Sequence, residues 1–82
     1  MDEQFKQFVR DVQQIYTYSD SRIDKDYNII VEIEGRSFLV SCDNIMTYYN
    51  AFKNTSVPYQ EWLTRTVGHI TQLVEKWYKR WH

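Results

Sequence analysis

Residues 27–42, YNIIVEIEGRSFLVSC, decide the fold because they contain two alternating runs of apolar and polar residues around a glycine. The residues that share a face are Ile29, Val31 and Ile33 in the first run, and Phe38, Val40 and Cys42 in the second. Gly35 stands between the runs and can adopt a positive φ, so the stretch predicts an antiparallel β-hairpin. Two strands alone are only marginally stable in water, and helices must therefore cover the apolar face.

Helical periodicity flanks the hairpin on both sides. Apolar residues recur at helical spacing over residues 4–18, over 43–54 with Asp43 as the expected N-cap, and over 57–81 with Ser56 as the expected cap. The polar stretch SDSRIDKD (19–26) predicts a connector. The sequence therefore predicts a single α+β domain over residues 1–82, in the order α-β-β-α-α, with the hairpin packed against helices and a long C-terminal helix.

The last predicted helix carries an apolar seam. Its residues recur at spacings of 4-3-4-3-4 and are Leu63, Val67, Ile70, Val74, Trp77 and Trp81. Such a seam is expected to be buried, either in the domain core or against a second copy of the chain in a homodimer. Gly68 interrupts the seam and predicts either a kink or the close approach of another backbone.

Composition bounds the class of protein. A net charge of −1 gives no general attraction to nucleic acid or to an anionic membrane. The single cysteine, Cys42, excludes an intramolecular disulfide, which favours a reducing compartment. No apolar run approaches the ~20 residues of a membrane span, and the opening MDEQFKQFV does not have the pattern of a signal peptide. We therefore expect a cytoplasmic protein with no membrane contact.

Catalytic and ligand-binding motifs are not found in the sequence. His69 and His82 lie outside any metal-ligand spacing, and the two glycines form no phosphate-binding loop. Cys42 alternates with Phe38 and Val40, which favours an inward-facing apolar role over a nucleophile. The sequence therefore predicts a protein that is not an enzyme and that uses no cofactor and no metal.

Charge is unevenly distributed along the chain, and residues 1–34 carry eight acids against four bases. Seven tyrosines are more than a core of this size can bury with the other rings, and tyrosine is enriched at protein interfaces. We expect a protein partner to be contacted by acidic residues and nearby tyrosines. The predicted contact residues are Tyr18, Asp20, Asp24, Asp26, Tyr27, Glu32 and Glu34.

The terminal stretch KWYKRWH (76–82) offers an alternative. Trp77 and Trp81 continue the seam and should face inward, which leaves the cations outside. If rings were instead exposed beside these cations, the helix would form a nucleic-acid-binding module. The residues predicted for that alternative are Arg65, Lys76, Lys79 and Arg80.

One resemblance to a known family is present. The hairpin IIVEIEGRSFLVS (29–41), the segment DNIMTYYNAFKN (43–54) with its AFKN ending, and the helix start PYQEWL (58–63) resemble the small phage-encoded anti-CRISPR inhibitor proteins of Firmicutes. The resemblance implies a stoichiometric inhibitor, encoded by a phage or mobile element, that covers the nucleic-acid-binding surface of a CRISPR nuclease with acidic side chains. This chain departs from that pattern because it is nearly neutral and its last helix is basic.

Overall fold

The computed structural model describes residues 1–81 and shows one strand more than predicted. The elements are α1 (Glu3–Ile15), β1 (Asp20–Ile23), β2 (Ile29–Ile33), β3 (Arg36–Val40), α2 (Cys42–Lys53) and α3 (Tyr59–Lys79). The three strands form one antiparallel sheet in the order β1-β2-β3. The predicted α+β class is confirmed, but the order is α-β-β-β-α-α.

The extra strand, β1, lies within the stretch predicted to be a connector. It pairs with β2 so that Ser21 lies opposite Val31 and Ile23 opposite Ile29. Gln13 on α1 donates its side-chain amide to the Ser21 carbonyl and hydroxyl, both at 3.1 Å. The pairing with β2 and the hydrogen bonds from Gln13 stabilise β1, although its own residues are mostly polar and do not predict a strand.

The β2–β3 hairpin forms where the alternating pattern predicts it. Ile33 pairs with Arg36, and the two residues between them, Glu34 and Gly35, have φ values of 52° and 77°. Two consecutive residues with positive φ define the type I′ turn that matches the twist of a hairpin. The expectation of a positive φ at Gly35 is confirmed.

Two predicted caps were wrong. The N-cap of α2 is Ser41, whose hydroxyl accepts the Asn44 N–H at 3.2 Å, while Asp43 lies in the first turn. The N-cap of α3 is Pro58 and not Ser56, and no side chain caps that helix. Helix α1 also ends three residues earlier than predicted, because the backbone of Tyr16 turns to an extended conformation.

The buried face of α3 differs from the predicted seam. Leu63, Ile70 and Val74 are buried as expected, but Thr66 is the fourth buried residue and Val67 is only partly covered. The spacing of 3-4-4 follows a straight helix of 3.6 residues per turn, from which a strict 3.5 repeat drifts by about 20° per heptad. Gly68 has open space where a Cβ would lie, so the predicted close approach was wrong.

The core lies between the helices and one face of the sheet. Ile29, Val31 and Val40 on that face are at most 1% exposed, and α1 and α3 pack against the sheet. The opposite face carries the alternate residues of the three strands, which we call the outer face. Its members are Asp20, Arg22, Ile30, Glu32, Ser37 and Leu39.

Candidate functional site

The outer face of the sheet brings together two of the seven predicted contact residues, Asp20 and Glu32. Asp20 lies directly opposite Glu32 across the β1–β2 pair, and both side chains are exposed. Arg22 lies two residues further along β1, opposite Ile30, and places its Nε 3.5 Å from Glu32 Oε1. Like charges directly opposite each other across two strands repel. The Arg22 guanidinium offsets part of this repulsion at Glu32.

The apolar residues of the outer face lie on the central strand β2 and the edge strand β3. Ile30 pairs with Arg22 on one side and with Leu39 on the other, so the three side chains form a row across the sheet. Leu39 is 51% exposed, whereas Ile30 is 9% exposed. Neither residue was predicted as part of a site, although Leu39 at an outward position of the hairpin was a visible signal.

The β1–β2 turn uses one predicted contact residue to stabilise itself. Asp24 Oδ1 accepts the N–H groups of Asp26 and Asn28, both at 2.9 Å, and its Oδ2 accepts the Asn28 side-chain amide at 3.0 Å. The bonds from Asn28, first the side chain and then the backbone, and a weaker one from Asp26, lower the pKa of Asp24. Asp26 remains exposed, so it is the carboxylate of this turn that is available to a partner.

Tyr27, which follows in the same turn, is held by α1. Its backbone has a φ of 62°, and its hydroxyl accepts a hydrogen bond from Arg10 at 3.0 Å. Lys6 Nζ lies 5.5 Å from the centre of the ring and Arg10 Cζ lies 5.7 Å from it. These contacts make Tyr27 part of the junction between the turn and α1.

Glu34 and Tyr18 lie in connections at the other end of β2, away from the Asp24 turn. Burial and a hydrogen bond to the Glu34 carboxylate raise the pKa of the Tyr78 hydroxyl. Tyr18 is 48% exposed, and its ring centroid lies 6.5 Å from that of Tyr16. The structure therefore divides the predicted acidic surface into two ends joined by the outer face.

The basic residues of α3 are exposed, but the rings beside them are packed. Arg65 forms an ion pair of 2.7 Å with Glu61, and the other cations, Lys76, Lys79 and Arg80, point away from the core. Trp77 stacks near Phe38 with centroids 5.3 Å apart. The rings of KWYKRWH thus hold the end of α3 to the sheet, and His82 lies outside the described residues.

The surroundings of Cys42 favour its protonated thiol. It is the first residue of α2 and is partly covered, and burial first and the Asp43 carboxylate second raise the pKa of its thiol. A raised pKa keeps the thiol protonated and unreactive at neutral pH. Within residues 1–81, no cluster of three or more His, Cys, Asp or Glu could hold a metal ion.

Across the described part of the chain, no helix is long and apolar enough to cross a membrane. Comparison with protein-family models, with curated proteins and with solved structures gives no match.

Proposed function

We propose that this protein is a small non-enzymatic binding protein that inhibits or modulates a macromolecular partner by covering part of its surface with the outer face of the sheet. The observation that carries the proposal is the exposure of Leu39 on the edge strand β3, on the same sheet face as the exposed Asp20 and Glu32.

The composition of the outer face supports this role. Protein interfaces combine an apolar centre with a polar rim, and the outer face carries an exposed leucine beside exposed acids. Leu39, beside the nearly buried Ile30, supplies the apolar contact, and the acids at either end of the sheet supply the rim.

The charge of the rim favours a basic partner surface. Surfaces that bind nucleic acid are rich in Lys and Arg, so a nucleic-acid-processing protein is the partner class that fits best. The resemblance to anti-CRISPR inhibitors makes a CRISPR nuclease the first such protein to test, with the gene carried by a phage or mobile element.

Charge reversal tests the proposal. The double variant Asp20→Lys, Glu32→Lys should bind a guide-loaded CRISPR nuclease at least about tenfold more weakly than the wild type, because like charges would then oppose the partner's cations. The double variant Glu3→Lys, Asp43→Lys is the matched control, since it changes net charge equally at two exposed positions outside the sheet. Binding is measured by retention on the immobilised protein, and inhibition by DNA cleavage.

Two outcomes contradict the proposal. Equal loss in both double variants would show a non-specific charge effect and not a docking face. If neither the nuclease nor any other protein of a bacterial lysate is retained by the wild type at physiological salt, the binding function itself fails.

A specific observation favours a second candidate, a nucleic-acid-binding module on α3. Arg65 and Lys76 are eleven residues apart, about three helical turns, so they share one exposed face with Arg80. This candidate predicts a DNA or RNA affinity that falls linearly with log salt. It is abandoned if no binding occurs at low ionic strength.

The remaining alternative is a homodimer through the helix spanning 63–81. Leu63, Ile70 and Val74 are already buried inside one copy, so such a dimer would have to use Val67, Trp77 and Trp81, which remain partly exposed. Sedimentation over a range of concentrations distinguishes a monomer from this dimer.

A further inference from the structure

A cleft on the helical side of the molecule is not used by the proposed function. It has a volume of about 460 Å³ and opens between the start of α1, the end of α2 and the start of α3. Its principal lining residues are Gln4, Tyr49, Lys53, Asn54, Tyr59 and Trp62. None of them belongs to the sheet, and the volume lies in the range of ~300–1,000 Å³ typical of small-molecule sites.

Three aromatic rings form the walls of the cleft. The centroid of Trp62 lies 5.9 Å from that of Tyr49 and 5.7 Å from that of Tyr59. All three rings pack against Phe8, which is fully buried behind them. Tyr59, which is 44% exposed, and the half-buried Trp62 therefore present aromatic surface to whatever enters, and Tyr49, which is 5% exposed, adds little to it.

The polar atoms of two walls are already engaged. Tyr59 donates its hydroxyl proton to Asp11 Oδ2 at 2.6 Å, and Trp62 donates its indole N–H to the Val57 carbonyl at 2.9 Å. These bonds fix the two rings before any ligand binds, which lowers the entropic cost of binding. The two rings can then offer a ligand only their apolar surfaces.

Charge in the cleft comes from Lys53. Its Nζ lies 5.8 Å from the centre of the Tyr49 ring, and no carboxylate in residues 1–81 lies within ion-pair distance of it. Asp2 and Asp11 keep their negative charges near the rings, but their oxygens are directed to donors within the protein: Asp2 accepts the Phe5 N–H at 2.7 Å, and Asp11 accepts Tyr59 and the Gln7 amide. Lys53 is therefore the group able to pair with an incoming charge.

Two side-chain amides complete the lining. Gln4 and Asn54 form no side-chain hydrogen bond with another residue in the described part of the chain, so their donors and acceptors remain available. A pocket with apolar walls and a few convergent polar groups is typical of a site that orients a planar ligand.

We propose that this cleft binds a small planar aromatic molecule that carries a negative charge, with the ring against Tyr59 and Trp62 and the anion on Lys53. A cationic aromatic is disfavoured because Lys53 already occupies the position over the Tyr49 ring. An aromatic carboxylate and a nucleotide share the required chemistry, and the experiment separates these two sources.

The test uses the whole protein and four probes: indole-3-acetate, its neutral analogue indole-3-acetamide, acetate, and adenosine monophosphate. We expect indole-3-acetate to bind with a Kd on the order of 1 mM or tighter and to shift the NMR signals of the Trp62 indole N–H and the Asn54 amide. The neutral analogue should bind roughly tenfold more weakly, and acetate should cause no shifts in the cleft. If adenosine monophosphate binds more tightly than indole-3-acetate, the nucleotide is the source.

Lys53→Gln supplies the second measurement. This variant should bind indole-3-acetate only as weakly as the wild type binds the neutral analogue. The control Lys25→Gln removes an exposed lysine from the β1–β2 turn and should leave the Kd for indole-3-acetate unchanged. The proposal is overturned if no cleft signal shifts at 10-fold the expected Kd (on the order of 10 mM), if the neutral analogue binds equally well, or if both lysine variants behave like the wild type. Loss of binding to the sheet face has no bearing on these results, so the two proposals fail separately.

Discussion

Two clusters of aromatic rings lie in different parts of the molecule, and they use similar residues differently. The cleft cluster is Phe8, Tyr49, Tyr59 and Trp62, and the C-terminal cluster is Phe38, Trp77, Tyr78 and Trp81. In the C-terminal cluster the Arg36 guanidinium lies 4.1 Å from the centre of the Trp81 ring and covers it. In the cleft cluster the Lys53 ammonium stays 5.8 Å from the Tyr49 ring and leaves an opening.

The difference shows that rings in a small domain serve stability or recognition according to what covers them. At the end of α3, rings and a flat guanidinium join the helix to the hairpin, where Trp77 meets Phe38. In the cleft, Phe8 supplies the packing from behind and the outer rings are fixed by hydrogen bonds. The C-terminal cluster therefore covers its rings, whereas the cleft cluster leaves a concave surface open to solvent.

The largest expected effect is the loss of Phe8. Phe8→Ala should lower the free energy of unfolding by about 3–5 kcal/mol, because the side chain is fully buried behind three other rings. Phe38→Ala should cost about 1–2 kcal/mol, since Phe38 is only partly covered. Urea unfolding measures both, and Phe8→Leu serves if the alanine variant does not fold. Equal costs at the two positions would contradict the comparison.

Truncation in the C-terminal cluster comes next in size. Trp77→Ala should lower the free energy of unfolding by about 2 kcal/mol, because the partly exposed indole contacts Phe38 and Trp81. It should also free Arg36, whose NMR signals should move toward random-coil values once Trp81 is no longer supported. A variant that unfolds at the wild-type urea concentration would show that these rings do not hold α3 to the sheet.

Replacing the cation beside each cluster, Arg36 or Lys53, should change the free energy of unfolding by a smaller amount. Arg36→Gln removes a guanidinium that covers a ring, so it should cost about 0.5–1 kcal/mol of unfolding free energy. Lys53→Gln removes an exposed ammonium that lies further from its ring, at 5.8 Å, and should change stability by less than about 0.5 kcal/mol. Thermal unfolding of the two variants side by side measures the difference. The opposite order would mean that Lys53 contributes to packing and not to an open site.

The sequence predicts the fold where the signal is local. Alternation over residues 27–42 and the helical stripe of α1 are sufficient, because both depend on neighbours within a few residues. It does not predict β1, because DSRI has one apolar residue and becomes a strand only by pairing with β2 and by the bond from Gln13. A strand of this kind depends on contacts that spacing does not show.

In the candidate sites too, local features are predictable from the sequence and features that depend on tertiary contacts are not. The exposure of Glu32 follows from its outward position in the predicted hairpin, but the position of Asp20 depends on the unpredicted strand β1 and the engagement of Asp24 on the geometry of a turn. The cleft could not be predicted from the sequence, because its residues come from three helices. Tyr49 and Trp62 are separated by a helix end and a connection, and no spacing rule relates them.

The smallest expected effect is on the free energy of unfolding at alkaline pH. It distinguishes a tyrosine hydroxyl of the cleft cluster, Tyr59, from one of the C-terminal cluster, Tyr78. Burial, and the hydrogen bond to Asp11, raise the pKa of Tyr59 well above its ordinary value of 10.0. Burial and Glu34 also raise the pKa of Tyr78, by a smaller amount. Because the unfolded chain releases these protons first, the stabilisation is complete below about pH 10 and is lost as the pH rises toward the folded pKa.

Replacing each hydroxyl tests the order of the two shifts. Tyr59→Phe should therefore flatten the loss of stability between pH 10 and pH 11 more than Tyr78→Phe does, although both variants lose a hydrogen bond at neutral pH. The midpoint of urea unfolding, measured at several pH values from 8 to 11 for the wild type and both variants, gives the slopes. A slope for Tyr59→Phe that matches the wild type would mean that Asp11 does not hold this ring through its proton. The wall of the cleft would then lack one of the two hydrogen bonds that fix it, and the contrast with the C-terminal cluster would rest on packing alone.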